Sequence, residues 1–234
     1  MDYFYCPPEK ISEHDLVIEG EEFSHLVHVM RKKEGDEIIV VDGRGSAYEV
    51  GLETVTRHSA RGVIRRVFRG YHEPSASVTL AAGILKNPSK FDFLVEKLTE
   101  LGVMEIIPLR TERAIPAQAK TDGWQKLALS AMKQCGRSYL PAVRELTTFD
   151  TLISEGGTAG RKFIAHERLD EGIPLTELRS TPGESTLILV GPEGGFSDEE
   201  FSRSLRAGFK PVFLGDRRLR TETAAIVLAS LLLY

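Results

Sequence analysis

The 234-residue sequence predicts an α/β protein in which a parallel sheet, buried on both faces, follows a small β-rich unit. Three observations carry that prediction. From residue 77 onward, strand-like runs alternate with segments of helical spacing, the pattern of βαβ units. Before residue 70 the rhythm differs, with short β-rich runs punctuated by Asp-Gly and Gly-Ser pairs. Between them lies "YHEPSAS", residues 71–77, with proline, serines and no apolar periodicity, so the boundary is expected after residue 72.

The elements follow in order. "EEFSHLVHVMRKKEG" sets Phe23, Leu26, Val27 and Met30 at helical spacing. "DEIIVVDGRGSAYEVGLETV" reads as strands joined by hairpin chemistry at Asp42-Gly43 and Gly45-Ser46, and "SARGVIRRVF" adds a strand carrying Val63 and Val67. In the second part "SVTLAAGIL" is strand-like, and "SKFDFLVEKLTELGV" is an amphipathic helix that Gly102 terminates as a glycine C-cap. "MEIIPLR" is strand, "DGWQKLALSAMKQCGR" helix, and "RKFIAHE" and "STLILV" strands. "SDEEFSRSLRAGF" is a helix whose start is marked by the Ser197–Glu200 capping box. "PVFLG" is a short strand ending at Gly215. "TETAAIVLASLLLY" is a last helix, apolar on every side, with Thr221 at the cap position; such a helix is expected to be buried against the sheet or a second subunit.

Composition narrows the class. Hydrophobic residues make up 41% and charged residues 27%, ordinary globular values that exclude disorder. Cys6 and Cys135 match no metal or redox spacing and suggest ordinary thiols in a reducing cytosol. "MDYFYCPPEK" is no secretory signal, and "AAIVLASLLLY" is too short to span a bilayer, so a cytoplasmic protein is expected. The net charge of -4 argues against a protein coated in nucleic acid, but its distribution is uneven. Arg57, Arg61, Arg65, Arg66 and Arg69 follow one another with no acid between them. Arg31, Lys32 and Lys33 form a second cluster, and Arg217, Arg218 and Arg220 a third; any one alone reads as a solvated face. His25 and His28 lack further ligands nearby and read as surface or packing residues, so no metal is expected.

Two stretches carry chemistry. In "LVGPEGGFSDEE" an apolar strand runs into Gly191, Gly194 and Gly195, and a mere connector would not need three glycines, each costly in backbone entropy. The turn fits neither common phosphate-loop pattern; Pro192 removes an amide donor and Glu193 would repel a phosphate. A neutral or positively charged ligand suits it better, such as S-adenosylmethionine, which has a sulfonium, ribose hydroxyls and no phosphate. In "FLGDRRLRTETA" an arginine-bearing loop leads into the last helix at a strand's carboxyl end, where open α/β sheets bind ligands. In "KQCGRSYLP", spacing alone favours a structural carboxylate partner for Arg137.

Together "KLTELGV", "KQCGRSYLP", "LVGPEGGFSDEE" and "LGDRRLRTETA", in this order and spacing, resemble one family. It is the bacterial small-subunit ribosomal RNA uridine-N3 methyltransferase family, of the RsmE type, within the SPOUT superfamily of knotted methyltransferases. The resemblance covers almost the whole chain and departs from the family at Arg218, where an isoleucine is common, and Asp216, where a proline is frequent. It implies a SPOUT-type parallel sheet with a C-terminal trefoil knot (residues 73–234) behind a PUA-like β-barrel (residues 1–72). It also implies a homodimer and transfer of a methyl group from S-adenosylmethionine to N3 of a uridine in 16S ribosomal RNA.

Carried over residue by residue, the resemblance implies cofactor contacts at His166 and the loop after it, at Val190, Gly191, Gly194 and Gly195, and at Leu214, Gly215, Leu219, Thr221 and Ala224. N3 is protonated in neutral uridine, so the site must favour loss of that proton and stabilise charge on the flanking carbonyls; a carboxylate could take the proton and an arginine steady the charge. Glu193 and Glu222 are the candidate bases, unranked by sequence, and Arg220 and Arg137 the candidate stabilisers. Arg31, Lys32, Arg57, Arg61, Arg65 and Arg66 form the expected RNA platform, with small-subunit ribosomal RNA or the assembled 30S subunit as partner. N3 lies on the Watson–Crick edge, so the target must be unpaired or extruded. Two alternatives stand beside this reading: a SPOUT methyltransferase for another RNA, and a non-catalytic RNA-binding assembly factor that retains cofactor-type loops.

Overall fold

A computed structural model describes residues 3–114, 119–155, 159–166 and 173–234. The chain forms two compact units, one from residues up to Glu73 together with Leu129–Leu140, the other from Pro74–Ala128 and Pro141–Tyr234. The return of Leu129–Leu140 to the first unit leaves no mark in sequence pattern, because it happens within a continuous helix.

The first unit is a five-stranded sheet of β1 (Tyr3–Tyr5), β2 (Asp15–Glu19), β3 (Glu37–Val41), β4 (Ser46–Val55) and β5 (Ser59–Arg69), in the order β1-β3-β4-β5-β2. Register irregularities between Glu49 and Val50, and between Leu52 and Thr54, interrupt the β4–β5 ladder, as bulges that bend a sheet do. Its core is Phe4, Leu16, Ile18, Leu26, Val40 and Val50, all fully buried. The β3–β4 turn uses the expected chemistry: the Asp42 carboxylate accepts from the amides of Arg44 (2.7 Å) and Ser46 (2.9 Å), while Gly43 and Gly45 take φ of +71° and +95°. The helix expected around Phe23–Met30 is only α1 (Gly20–Ser24), followed by a wider π-type turn over His25–Val29 in which the Met30 amide reaches the His25 carbonyl.

The second unit is a parallel sheet of seven strands: β6 (Ser77–Gly83), β7 (Glu105–Arg110), β8 (Ala142–Val143), β9 (Thr147–Thr148), β10 (Arg161–Ala165), β11 (Ser185–Val190) and β12 (Lys210–Val212). Their order is β12-β10-β11-β6-β7-β8, with β9 also pairing β7. Its helices are α2 (Pro88–Leu101), α3 (Thr121–Cys135, which continues into the first unit), α4 (Phe149–Glu155), α5 (Asp198–Arg206) and α6 (Thr221–Leu233). The Asn87 side chain caps α2 at the Ser89 amide, and Gly102 closes it in the left-handed region at φ +102°. A Cβ there would also lie 2.4 Å from Pro74 Cγ, so glycine is required twice over.

Two expectations need correcting. Strand β12 stops at Val212, short of Gly215. Thr221 is the first helical residue of α6, and Arg220 is its N-cap, without a capping side chain; the Thr221 hydroxyl is used elsewhere, as described below. Helix α6 packs on α2 and β6 and buries Ala225, Leu228, Ala229 and Leu232, while Ile226, Val227, Leu231 and Leu233 stay half-buried. No described helix is long and apolar enough to cross a membrane.

Candidate active site at the switch point of the parallel sheet

Strand order determines where ligand space arises. Strands β6 and β11 are neighbours, yet the chain leaves β6 toward β7 on one side and leaves β11 through α5 toward β12 on the other. Such a reversal opens a crevice at the carboxyl ends of the two strands. Four segments meet there: residues 84–90 after β6, residues 111–114 after β7, the Gly191–Ser197 turn after β11, and the first turn of α6.

The turn is held by its neighbours. A Cβ on Gly83 would lie 2.3 Å from the Pro192 nitrogen, and one on Gly191 3.0 Å from Gly195 Cα. A Cβ on Gly194 would lie 3.2 Å from Arg113 Cβ, whereas Gly195, at φ +68°, faces open space. Close approach is therefore mostly of chain to chain, and only Gly195 borders free volume. Thr221 Oγ1 donates to the Gly191 carbonyl at 2.8 Å, tying α6 to the turn. Arg113 Nη1 donates to the carbonyls of Gly194 (3.2 Å) and Phe196 (3.0 Å). The capping box forms as expected, Ser197 N to Glu200 Oε2 at 2.9 Å and Glu200 N to Ser197 Oγ at 3.2 Å. Glu200 does more than cap, since its Oε1 accepts the Glu112 amide at 2.8 Å and anchors the segment after β7.

The two candidate bases differ sharply. Glu193 is exposed, and its Oε1 accepts the Lys86 amide at 3.2 Å, a tie between two loops. Glu222 is 9% exposed; its Oε1 lies 3.4 Å from Lys90 Nζ, and its Oε2 is buried without a hydrogen-bond partner. Arg220 is exposed and makes no side-chain hydrogen bond or ion pair to a described residue.

The other expected cofactor positions fall at the same end of the sheet. Val190 is the buried end of β11 and Ala224 is buried in α6, while Leu214 is half-buried, Leu219 is 38% exposed and Gly215 sits at φ +101°. His166 follows β10, donates its amide to the Val212 carbonyl at 3.1 Å and stacks its ring on Phe201 at 3.9 Å. The loop after it, residues 167–172, lies outside the described residues. A cavity of about 300 Å³ opens at the opposite, amino-terminal ends of β10 and β12, beside Arg161, Lys162 and Lys210, and no candidate residue lines it.

In the first unit Arg137 is 3% exposed and forms an ion pair with Glu73, Nη2 to Oε2 at 2.7 Å and Nε to Oε2 at 3.1 Å. Glu73 Oε1 also accepts the amides of Ser138 (2.9 Å) and Tyr139 (2.8 Å). The six platform residues divide. Arg61 pairs with Asp15, whose carboxyl is held below its usual range by the Ser12 hydroxyl and then by Arg61, and Arg65 pairs with Glu37. Arg66 lies over the Phe68 ring at 4.6 Å, and Arg31, Lys32, Arg57 and Arg66 form no ion pair among the described residues. The His25 ring lies 5.8 Å from that of Phe4, and the described residues hold no cluster of three metal-ligating side chains.

Sequence reasoning passed over Lys90, Lys86, Arg113 and the second function of Glu200. Only Lys90 carried a sequence signal, a cation in the first turn of a helix, where acids are preferred.

An RNA methyltransferase domain model matches residues 72–233, and an RNA methyltransferase PUA domain model matches residues 18–65. The ribosomal RNA small subunit methyltransferase E of Synechocystis sp. is 31% identical over 94% of this chain and 73% of its own length. The protein of the same name from Bacillus subtilis is 30% identical over 93% of this chain and 89% of its own length. Among solved structures, ribosomal RNA small subunit methyltransferase E from Neisseria gonorrhoeae, bound to S-adenosyl methionine, superposes with a TM-score of 0.86 at 31% identity, covering 98% of this chain and 95% of that one.

Proposed function

The chain belongs to the RNA methyltransferase family that includes ribosomal RNA small subunit methyltransferase E, and on that premise we propose that it methylates N3 of a specific uridine in 16S ribosomal RNA, using S-adenosylmethionine. The observation that carries the reading is Glu222: a buried carboxylate with one unpartnered oxygen, beside a glycine turn unsuited to phosphate, at the switch point of a parallel sheet. A ribosomal substrate implies a cytoplasmic protein. A homodimer belongs to the same proposal and is supported by the half-buried apolar residues of α6. So does threading of the C-terminal segment, supported by the late insertion of β11 between β10 and β6.

The residues present fit the cofactor. Gly195 leaves open space at the turn, Leu214 and Leu219 offer apolar surface for an adenine, and the exposed Glu193 carboxylate suits a cationic ligand. Val190, Gly191, Gly194, Gly215, Ala224 and His166 complete the proposed binding set, with Thr221 acting through its bond to Gly191. Bound there, S-adenosylmethionine would supply an electrophilic methyl group on a sulfonium. Glu222 is the preferred base because Glu193 is already engaged by the Lys86 amide and lies in water. Arg220, the N-cap residue of α6 and without a described partner, would steady negative charge on the uracil carbonyls. Arg137 is assigned an architectural role through Glu73. Arg31, Lys32, Arg57 and Arg66 carry uncompensated charge for RNA phosphates, with Arg61 and Arg65 contributing less.

The test is a tritiated-methyl transfer assay on small ribosomal subunits from cells lacking the endogenous uridine-N3 enzyme, with the product mapped by nuclease digestion and mass spectrometry. Label in N3-methyluridine at one site supports the proposal. Label in another nucleoside, or none with cofactor binding intact, refutes it.

A further inference from the structure

We propose that Lys90 is a positioning residue of the methyl-transfer reaction: its ammonium holds one oxygen of Glu222, leaving the other oxygen to receive the uridine N3 proton. The inference rests on the proposed function and on Glu222 as its base.

Three observations point the same way. Lys90 occupies the first turn of α2, the end where the helix dipole is positive and a cation is locally unfavourable, and that turn contains no acid. Its placement therefore needs a tertiary reason, and the carboxylate of Glu222 at 3.4 Å is the one described acid within ion-pair distance. Glu222 is in turn unlike the other well-buried carboxylates. Both oxygens of Glu73 and both of Glu200 accept hydrogen bonds, whereas Glu222 has Lys90 on one oxygen and nothing on the other. A buried acceptor without a donor is costly unless a ligand supplies one, and the N3–H of uridine is a donor of the right kind. Finally, Glu222 lies in the first turn of α6, one of the four segments that meet at the crevice, so its unpartnered Oε2 belongs to the candidate site. Rotation about the last glutamate torsion, which is soft, turns that oxygen toward an entering base while the flexible lysine follows.

The step balances. The N3 proton passes to Glu222, and the electron pair left on N3 forms the new N–CH₃ bond. The S–CH₃ bond breaks with its electrons going to sulfur, giving a neutral thioether. Glu222 then releases its proton to water, and Lys90 keeps its charge throughout and transfers no proton.

The experiment measures single-turnover methyl transfer to unmodified small subunits, cofactor affinity by calorimetry and melting temperature. It compares wild type, Lys90→Met, Lys90→Arg, Glu222→Gln and the Lys90→Met/Glu222→Gln double variant. Lys90→Met is expected to slow transfer about ten- to a hundredfold, less than the roughly 10²–10⁴-fold that loss of the positioned base itself would cost. Cofactor affinity and melting temperature should be nearly unchanged, and Lys90→Arg should recover most of the rate. In the Glu222→Gln background, Lys90→Met should cost nothing further, since a residue acting through its partner is not additive with it. Equal slowing in both backgrounds, or an effect confined to cofactor affinity, overturns the inference for Lys90 and leaves the base in place. A Glu222→Gln enzyme at full rate overturns the base itself. A wild-type enzyme that binds cofactor but methylates no subunit overturns the proposed function, and the inference with it.

Discussion

Glu73 and Glu222 are both largely buried glutamates, each facing one cationic side chain, and they are finished in opposite ways. Glu73, in the first unit, accepts from two nitrogens of Arg137 and from the amides of Ser138 and Tyr139. Glu222, in the second, has one contact of 3.4 Å from Lys90 and an oxygen with no partner. A carboxylate with its lone pairs filled by donors can hold a chain in place, but it has no free site for a proton. One with a lone pair to spare destabilises the fold slightly and is available for chemistry. Burial and a cationic neighbour are common to both; what separates the proposed base from the architectural carboxylate is unused hydrogen-bonding capacity.

Several substitutions would break or sharpen that contrast. The largest effect is expected at Glu222: its change to Gln should lower single-turnover methylation by about 10²–10⁴-fold, the usual worth of a positioned base. Its melting temperature should stay within a few degrees of wild type, and a large fall would mean that Glu222 is structural like Glu73. Glu73→Gln should do the reverse. It removes the charge that answers a largely buried guanidinium, and breaking a buried ion pair typically costs about 3–5 kcal/mol. The urea midpoint should drop accordingly, while the folded fraction keeps its methylation rate. Arg113→Met should be milder, because the guanidinium is partly exposed. Loss of its bonds to Gly194 and Phe196 should weaken S-adenosylmethionine binding about tenfold, as read by calorimetry.

The smallest effects carry the same rule to the surface. Arg57→Ser or Arg66→Ser should each flatten the log–log salt dependence of RNA binding by roughly 0.7, the value for one single-strand phosphate contact. Arg61→Ser and Arg65→Ser should change it less, because Asp15 and Glu37 already answer those charges. Equal slopes for all four would show that the surface ion pairs give way on RNA binding.

Much of the fold was readable because its signals are short-range. The Asp42 turn, the Ser197–Glu200 capping box and the Gly102 C-cap each depend on residues within about one helical turn or hairpin loop of one another. Alternation of apolar runs and helical spacing likewise marked the parallel sheet of the second unit, and the glycine turn after β11 marked its ligand end. Where a long-range partner competed with a local rule, the local rule lost. Thr221 looks like a helix cap, yet its hydroxyl goes to Gly191, 30 residues away. Arg61 sits in an acid-free stretch of sequence, yet it pairs with Asp15, 46 residues away on the adjacent strand β2.

By itself, then, the sequence determined most of the strands and helices, several of their caps, and the glycine turn with its carboxylate after β11, because dihedral preference and periodicity act over a few residues. Tertiary structure alone decided which charges are filled and which are left open. Lys86 reaches Glu193 across 107 positions of chain, and Lys90 reaches Glu222 across a still longer span. Those meetings follow from β11 lying beside β6 and α6 packing on α2. Electrostatic pairing depends on distance in space, and strand order determines that distance where spacing along the chain does not.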